Sequence, residues 1–247
     1  TGLGWSLSAI IGPDGTIYVG SYTTDDIRGY DPVTGNYLGV FVTAGSGGLN
    51  GPAGMEFGPD GHLYVASNFG DEILKYSAAD GSFLGTFVTF QSGGLDEPDD
   101  ITFGPDGDLY VTSFNTDEVL RYDGFTGDFK EIFVAANAGG LNAPSELTFG
   151  PDGNLYVTSV VTDRVLRFNG SDGTFMGPFA SGMGLNEPRG AVFGPDGHLY
   201  VADRNSVFKF DGTTPSGGIS TRPGGILPQW RLHCMMTPPT QAEAVSF

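Results

Sequence analysis

Residues 58–66, Gly-Pro-Asp-Gly-His-Leu-Tyr-Val-Ala, decide the fold of this chain. The first four of these residues recur at 12–15, 104–107, 150–153 and 194–197, so that consecutive copies begin 46, 46, 46 and 44 residues apart. Proline at the second position and glycine at the fourth are typical of a type I turn, and the short apolar run that follows is typical of a buried strand. The near-constant spacing therefore predicts five copies of one structural unit.

Each unit contains four short apolar segments that are separated by turn residues. In the second unit, strands are predicted at 54–57, 63–66, 73–76 and 83–88, with a hairpin signal at Asp80-Gly81. No segment of helical length has a period of 3.6 residues. The sequence therefore predicts an all-β fold, a β-propeller of four-stranded antiparallel blades, with five clear repeats plus a degenerate partial sixth. The first strand of each unit is expected beside a central channel.

The repeat divides the chain into two parts. Residues 1–212 are predicted to form propeller blades 1–5, and residues 213–247 form a divergent tail in which the acidic residues almost disappear, Glu243 being the exception. Two interpretations of the tail stay open: a partial sixth blade that begins near Ile226-Leu227, or a non-native segment such as an altered reading frame. Incomplete closure of the ring would expose strand edges, which favours self-association.

Composition excludes several classes of partner and site. The formal net charge is −18, with 11 Lys and Arg against 29 Asp and Glu, which excludes nucleic acid or an anionic membrane as the main partner. The single cysteine, Cys234, excludes an internal disulfide framework and multi-cysteine zinc sites. No apolar run approaches the ~18 residues of a membrane span. Acidity and the near absence of cysteine favour a secreted or periplasmic bacterial protein.

The aspartate of each turn and the tyrosine four residues later recur in all five units. We assign these aspartates to the turns, because Asp stabilises turns through hydrogen bonds to its own backbone. A calcium loop would need more oxygen ligands than one turn supplies. The recurring tyrosines are assigned to the core.

The units differ most just after the proline that precedes each first strand. The pairs that follow Pro52, Pro98, Pro144 and Pro188 are Ala53-Gly54, Asp99-Asp100, Ser145-Glu146 and Arg189-Gly190. Two residues further along, Glu56 stands where the other units have Thr102, Thr148 and Val192. Equivalent positions of a propeller meet around its axis, so variation here predicts a site at the mouth of the channel.

Four carboxylates at these positions are candidate metal ligands: Asp99, Asp100, Glu146 and Glu56. Two carboxylates ~4 Å apart repel each other by about 4 kcal/mol at an effective dielectric constant of about 20, so such a cluster is expected to bind a cation or to raise one pKa. Carboxylate oxygens without His or Cys suit Ca²⁺. The alternative is that these groups are solvated loop carboxylates, with Arg189 as a neutralising partner.

Three resemblances bear on function. Residues 144–157, continuing into 164–168, resemble an NHL-type propeller unit, and Gly-Pro-Asp-Gly-Asn-Leu at 150–155 is similar to the streptogramin-lyase propellers. Those lyases use histidine, and no histidine lies on a predicted first strand here. Pro98-Asp99-Asp100 resembles the element that places divalent-metal ligands in gluconolactonase/senescence-marker-protein and paraoxonase propellers, which implies a ligand and general-base role for Asp99.

Two functions remain open from the sequence. The first is a Ca²⁺-dependent lactone or ester hydrolase with Asp99 as base and ligand. Its other ligands would be Asp100, Glu146 and Glu56, and its substrate-binding residues would be Arg189 and Ser145. The second is a non-enzymatic extracellular NHL-like propeller that serves as a scaffold for a protein or glycan ligand.

Overall fold

The computed structural model describes residues 2–213 and the backbone of residues 218–219. The two interpretations of the tail, a partial sixth blade and a non-native segment, concern residues that lie almost entirely outside this part of the chain. The division into 1–212 and 213–247 therefore stays a prediction.

Twenty strands form five blades of four strands each. Blade 1 contains β1 (Ala9–Ile11), β2 (Ile17–Ser21), β3 (Asp26–Tyr30) and β4 (Tyr37–Val42). Blade 2 contains β5 (Pro52–Phe57), β6 (Leu63–Ser67), β7 (Glu72–Tyr76) and β8 (Phe83–Val88). Blade 3 contains β9 (Pro98–Phe103), β10 (Leu109–Ser113), β11 (Glu118–Tyr122) and β12 (Phe129–Val134). Blade 4 contains β13 (Pro144–Phe149), β14 (Leu155–Ser159), β15 (Arg164–Phe168) and β16 (Phe175–Ser181). Blade 5 contains β17 (Gly190–Phe193), β18 (Leu199–Ala202), β19 (Val207–Phe210) and β20 (Gly218–Ile219).

The strands of each blade pair antiparallel in chain order. From blade to blade, β5 contacts β9, β9 contacts β13, and β13 contacts β17, so the first strand of a unit is its innermost strand. Helical segments in the described chain are four short 3-10 turns, at Ser46–Gly48, Asn68–Gly70, Ser92–Gly94 and Ala138–Gly140, and none is long or apolar enough to cross a membrane. These observations confirm the predicted all-β propeller with four-stranded blades.

Each Gly-Pro-Asp-Gly turn is fastened to the strand that follows it. In blade 4, Asp152 Oδ1 accepts a hydrogen bond from the backbone N–H of Asn154 (3.1 Å), and Asp152 Oδ2 accepts one from the Tyr156 hydroxyl (2.9 Å). The same two hydrogen bonds are made by Asp14, Asp60, Asp106 and Asp196. The aspartates are therefore turn residues, as the sequence predicts.

These hydrogen bonds shift the pKa of both partners. Burial alone would raise the pKa of Asp152, but hydrogen bonds from Asn154 and Tyr156 and the charge of Arg167 hold it below its usual value. Burial and the hydrogen bond to Asp152 raise the pKa of Tyr156 to about 12. At neutral pH the carboxylate is thus charged and the phenol neutral, which is the strongest arrangement for this hydrogen bond.

The recurring tyrosine also joins neighbouring blades. The ring of Tyr156 packs between Phe179 of its own outer strand and Phe193 on the first strand of blade 5, with centroid distances of 4.9 and 4.8 Å. Equivalent contacts join the earlier blades through Tyr18, Tyr64 and Tyr110. Buried apolar clusters fill the four spaces between consecutive blades. Tyr18, Tyr64, Tyr110 and Tyr156 are core residues, as predicted, whereas Tyr200 is half-buried.

A second repeated contact sets the position at which each first strand begins. Asp117 has a left-handed backbone (φ 61°) and its Oδ1 accepts a hydrogen bond (2.7 Å) from the N–H of Ala143, the residue before Pro144. Asp25, Asp71 and Asp163 make the same contact with the next blade. Aspartate adopts left-handed geometry more readily than most non-glycine residues, which suits it to this position. The contact fixes the loop at each of the four junctions between consecutive blades.

Candidate functional site

Ten side chains line a cavity of about 250 Å³, and all ten occupy three positions of the repeat. The position before the recurring proline, or its equivalent in unit 1, supplies Trp5, Glu97 and Glu187. The position after that proline supplies Leu7, Asp99 and Arg189. The position four residues after the recurring tyrosine supplies Tyr22, Asn68, Phe114 and Arg204. The cavity therefore lies where three variable positions of the repeat meet.

Blade 4 contributes nothing to the cavity wall, and its residues at the three positions are small. They are Ala143, Ser145 and Val160, all buried. In blade 2 two of the three positions hold Gly51 and Ala53. Charged, polar and aromatic side chains thus occupy these positions in some units and not in others. Such differences between units are expected when a functional site lies on a repeating scaffold.

Asp99 is the buried carboxylate of the cavity. It lies on β9 with 5% of its surface exposed, and its Oδ2 accepts a hydrogen bond from the Ser145 hydroxyl of the next blade. Ser145 is 1% exposed, so it stands behind Asp99 and supports it. A carboxylate oriented in this way is suited to accept a proton from water.

Arg189 brings a cation into the same cavity from blade 5. Its backbone N–H donates to the carbonyl of Ala202 (3.0 Å), and its guanidinium lies 5.9 Å from the centre of the Phe114 ring. The other cavity arginine, Arg204, forms an ion pair with Glu187 (3.1 Å). The site therefore combines a buried carboxylate with a guanidinium placed over an aromatic face.

Tyr22 links three blades at the cavity wall. Its hydroxyl donates to Asn68 Oδ1 (2.7 Å), and Asn68 Nδ2 donates to the carbonyl of Pro98 (3.1 Å). Burial and the charges of Asp99 and Glu97 raise the pKa of Tyr22 to about 12. The phenol is therefore neutral at physiological pH and serves as a donor.

The first strands bulge at the variable dipeptide. The pairing of β5 with β6 shifts register between Pro52 and Met55, and the pairing of β13 with β14 shifts between Pro144 and Leu147. In blade 3 the equivalent shift lies along β10, opposite residues 98–101. A bulge changes the direction in which side chains point, so neighbouring residues of this segment lie in different environments.

Threonines of the second strand satisfy the backbone groups at the bulge. Thr112 Oγ1 accepts a hydrogen bond from the Asp100 N–H, and Thr158 Oγ1 accepts one from the Glu146 N–H, both at 2.8 Å. A bulged strand leaves such donors outside the ladder, where burial without a partner would be costly. The bulge is thus built into blades 3 and 4.

The other three predicted ligands are not part of the cavity wall, and two of them, Glu56 and Asp100, lie between blades. Glu56 Oε2 accepts a hydrogen bond from the Phe103 N–H of blade 3 (2.8 Å), and Asp100 Oδ2 accepts one from the Leu147 N–H of blade 4 (3.2 Å). Glu146 is 1% exposed. The structure therefore brings Asp99 and Arg189 to one cavity and places Glu56 and Asp100 as bridges between first strands.

Among residues 2–213, no group of three or more His, Cys, Asp or Glu side chains is arranged to hold a metal ion. Calcium binding stays a prediction.

Sequence reasoning missed Trp5, Tyr22, Glu97, Phe114, Glu187 and Arg204 in the cavity wall. A signal was present, because the residue four positions after the recurring tyrosine differs in every unit, as does the pair after the proline. Comparing all variable positions of the repeat would have found these residues. Only the fold shows which of the variable positions meet.

Comparisons with known proteins agree with the fold. The family model described as SMP-30/Gluconolactonase/LRE-like region matches residues 9–161. A streptogramin B lyase structure is 18% identical, with a TM-score of 0.69 over 88% of this chain and 69% of the lyase. A proposed gluconolactonase is 16% identical, with a TM-score of 0.69 over 90% of this chain and 79% of the other.

A further similar structure is the extracellular domain of a proposed one-component system from B. thetaiotaomicron. It is 15% identical, with a TM-score of 0.68 over 91% of this chain and 31% of the other. No curated protein matches the sequence significantly. At these identities the solved structures support the propeller fold alone.

The assignment of Asp100 to a bridge between blades predicts a loss of stability when its carboxylate is removed. Asp100→Ala leaves the Leu147 N–H buried without its acceptor, so we expect the free energy of unfolding to fall by about 1–3 kcal/mol. Asp128→Ala, at an exposed turn, should change it by no more than about 0.5 kcal/mol. Urea unfolding of both variants measures this, and equal effects would contradict the bridge.

Proposed function

The chain belongs to the SMP-30/gluconolactonase/LRE-like family, and from this premise we propose that it is a hydrolase of the lactonase type with its active site in the cavity. The observation that carries the proposal is that a buried carboxylate and a guanidinium line the same cavity. Asp99 is a buried carboxylate held by Ser145, and Arg189 is a cation over an aromatic ring. General-base and oxyanion-stabilising groups are what ester hydrolysis needs.

In the proposed reaction, Asp99 accepts a proton from a water molecule as the water oxygen attacks the lactone carbonyl carbon. The carbonyl oxygen becomes negative, and the Arg189 guanidinium stabilises that charge. The ring C–O bond then breaks, and protonated Asp99 returns the proton to the departing alkoxide. One lactone and one water thus give one hydroxy acid, which loses its proton at neutral pH.

The size and walls of the cavity favour a small substrate. Its volume of about 250 Å³ lies below the usual range for drug-sized ligands, which is about 300–1,000 Å³. Leu7, Tyr22 and Phe114 supply apolar surface for the carbon skeleton, while Asn68 adds a polar group. This combination suits a small cyclic ester better than a polymer.

The scaffold function is the second candidate, and the outer strands favour it. Leu38, Leu84 and Met176 occupy equivalent positions on β4, β8 and β16 and are 59%, 48% and 44% exposed. Such a recurring apolar edge is suited to contact a protein or to drive self-association. A secreted or periplasmic location accompanies either function, supported by the net charge of −18 and the single cysteine.

Hydrolysis of small γ- and δ-lactones, followed by acid release, tests the enzyme proposal. Because Asp99→Asn removes the general base, we expect kcat to fall by about 100-fold or more. The melting temperature should stay unchanged. Asp80→Asn, at an exposed turn, should retain wild-type kcat. Full activity in the Asp99 variant, or no hydrolysis of lactones or simple esters by the wild type, would refute the proposal and favour the scaffold.

Calcium dependence is the finer part of the proposal, and it is separable from the reaction itself. If calcium binds through Asp99, linkage predicts a stabilisation of about 2.7 kcal/mol at a calcium concentration of 100 Kd. The wild-type melting temperature would rise with calcium, and Asp99→Ala would lose this response. Hydrolysis that is insensitive to a chelator, together with a melting temperature that is insensitive to calcium, would reject calcium dependence.

A further inference from the structure

Arg189 has an unusual charge environment for so acidic a chain. Nine Lys and Arg residues lie in the part of the chain that the structure describes, and seven of them have a carboxylate oxygen within 4.0 Å. Among described residues, Arg164 and Arg189 form no such ion pair. Arg164 is exposed, whereas Arg189 is half-buried and lines the cavity.

Two of the three acidic side chains that line the cavity contact other residues. Glu187 pairs with Arg204 at 3.1 Å, and Asp99 accepts the hydrogen bond from Ser145. The N–H of Glu97 is fixed by Asp71 (2.9 Å), which anchors that residue's loop. The Arg189 guanidinium, which forms no ion pair with a described carboxylate, is thus positioned to meet an anion that enters the cavity.

Its surroundings select the kind of anion. A guanidinium that lies on an aromatic face presents a planar fork of donors, which matches the two oxygens of a carboxylate. Phe114 supplies that face at 5.9 Å. Glu97, Asp99 and Glu187 also line the cavity, and their charges disfavour a dianion such as phosphate more than a monoanion.

We infer that the cavity binds the carboxylate of a small hydroxy acid through Arg189, with Phe114 orienting the guanidinium. The choice of a hydroxy acid rests on the proposed function, because hydrolysis of a lactone yields one. Carboxylate binding itself needs only the cavity. The consequence is product inhibition, since the hydroxy acid and the lactone compete for the same space.

A pair of isosteric probes tests the charge requirement. At constant ionic strength, 4-hydroxybutanoate and the neutral 4-hydroxybutanamide are titrated against the full chain, and binding is followed by saturation-transfer NMR. The wild type should bind the carboxylate at least about tenfold more tightly than the amide, because charge-assisted hydrogen bonds are the stronger ones. Arg189→Gln should lose this preference, and Arg164→Gln is the matched control that should keep it.

Equal affinity for acid and amide in the wild type, or an intact preference in Arg189→Gln, would overturn the inference. If Arg189→Gln fails to fold, Arg189→Lys replaces it. A weaker preference for the carboxylate over the amide in Arg189→Lys than in the wild type would support recognition by the planar guanidinium. Carboxylate preference without lactone hydrolysis would refute the proposed function and support this inference. If the wild type hydrolyses lactones but shows no preference for the carboxylate, the proposed function is supported and this inference is refuted. The same conclusion follows if 4-hydroxybutanoate does not raise the KM for the lactone.

Discussion

The hydrogen bond from each recurring tyrosine to the aspartate of its own turn is the interaction on which the rest of the structure depends. Tyr156 shows why: its hydroxyl is held by Asp152 and its ring packs on Phe193 of the next blade. A buried phenol needs an acceptor, since an unpaired one costs about 1–3 kcal/mol. The aspartate makes burial of the tyrosine possible, and the buried ring joins one blade to the next.

Once these contacts repeat, the ends of the blades are fixed in equivalent places, and chemistry can vary without altering the scaffold. The cavity illustrates this, because its side chains come from three repeat positions whose counterparts in blade 4 are Ala143, Ser145 and Val160. Asp99 and Ser145 occupy one such position in adjacent blades and contact each other. The units therefore differ in chemistry at these three positions, while the turns and the inter-blade contacts stay the same.

The sequence predicted the architecture well because the turn residues and the 46-residue spacing report directly on local hydrogen bonds and blade size. It predicted the site only partly. Asp99 and Arg189 were placed together, but Asp100 and Glu56 were grouped with them although the structure uses both to bridge blades. Simple alternation along a strand fails here, because the first strands bulge at this dipeptide. The cavity residues after the second strand were missed, since their proximity arises from assembly of the blades.

The central claim is that chemistry resides in the variable positions while the repeat supplies the scaffold, and the chain itself offers the test. A triple variant, Glu97→Ala, Asp99→Ser and Phe114→Val, gives blade 3 the residues that blade 4 has at the same positions. Its melting temperature, measured beside lactone hydrolysis, is the most direct measurement. The account predicts a folded protein that has lost lactone hydrolysis. A variant that unfolds, or one that keeps lactone hydrolysis, would contradict it.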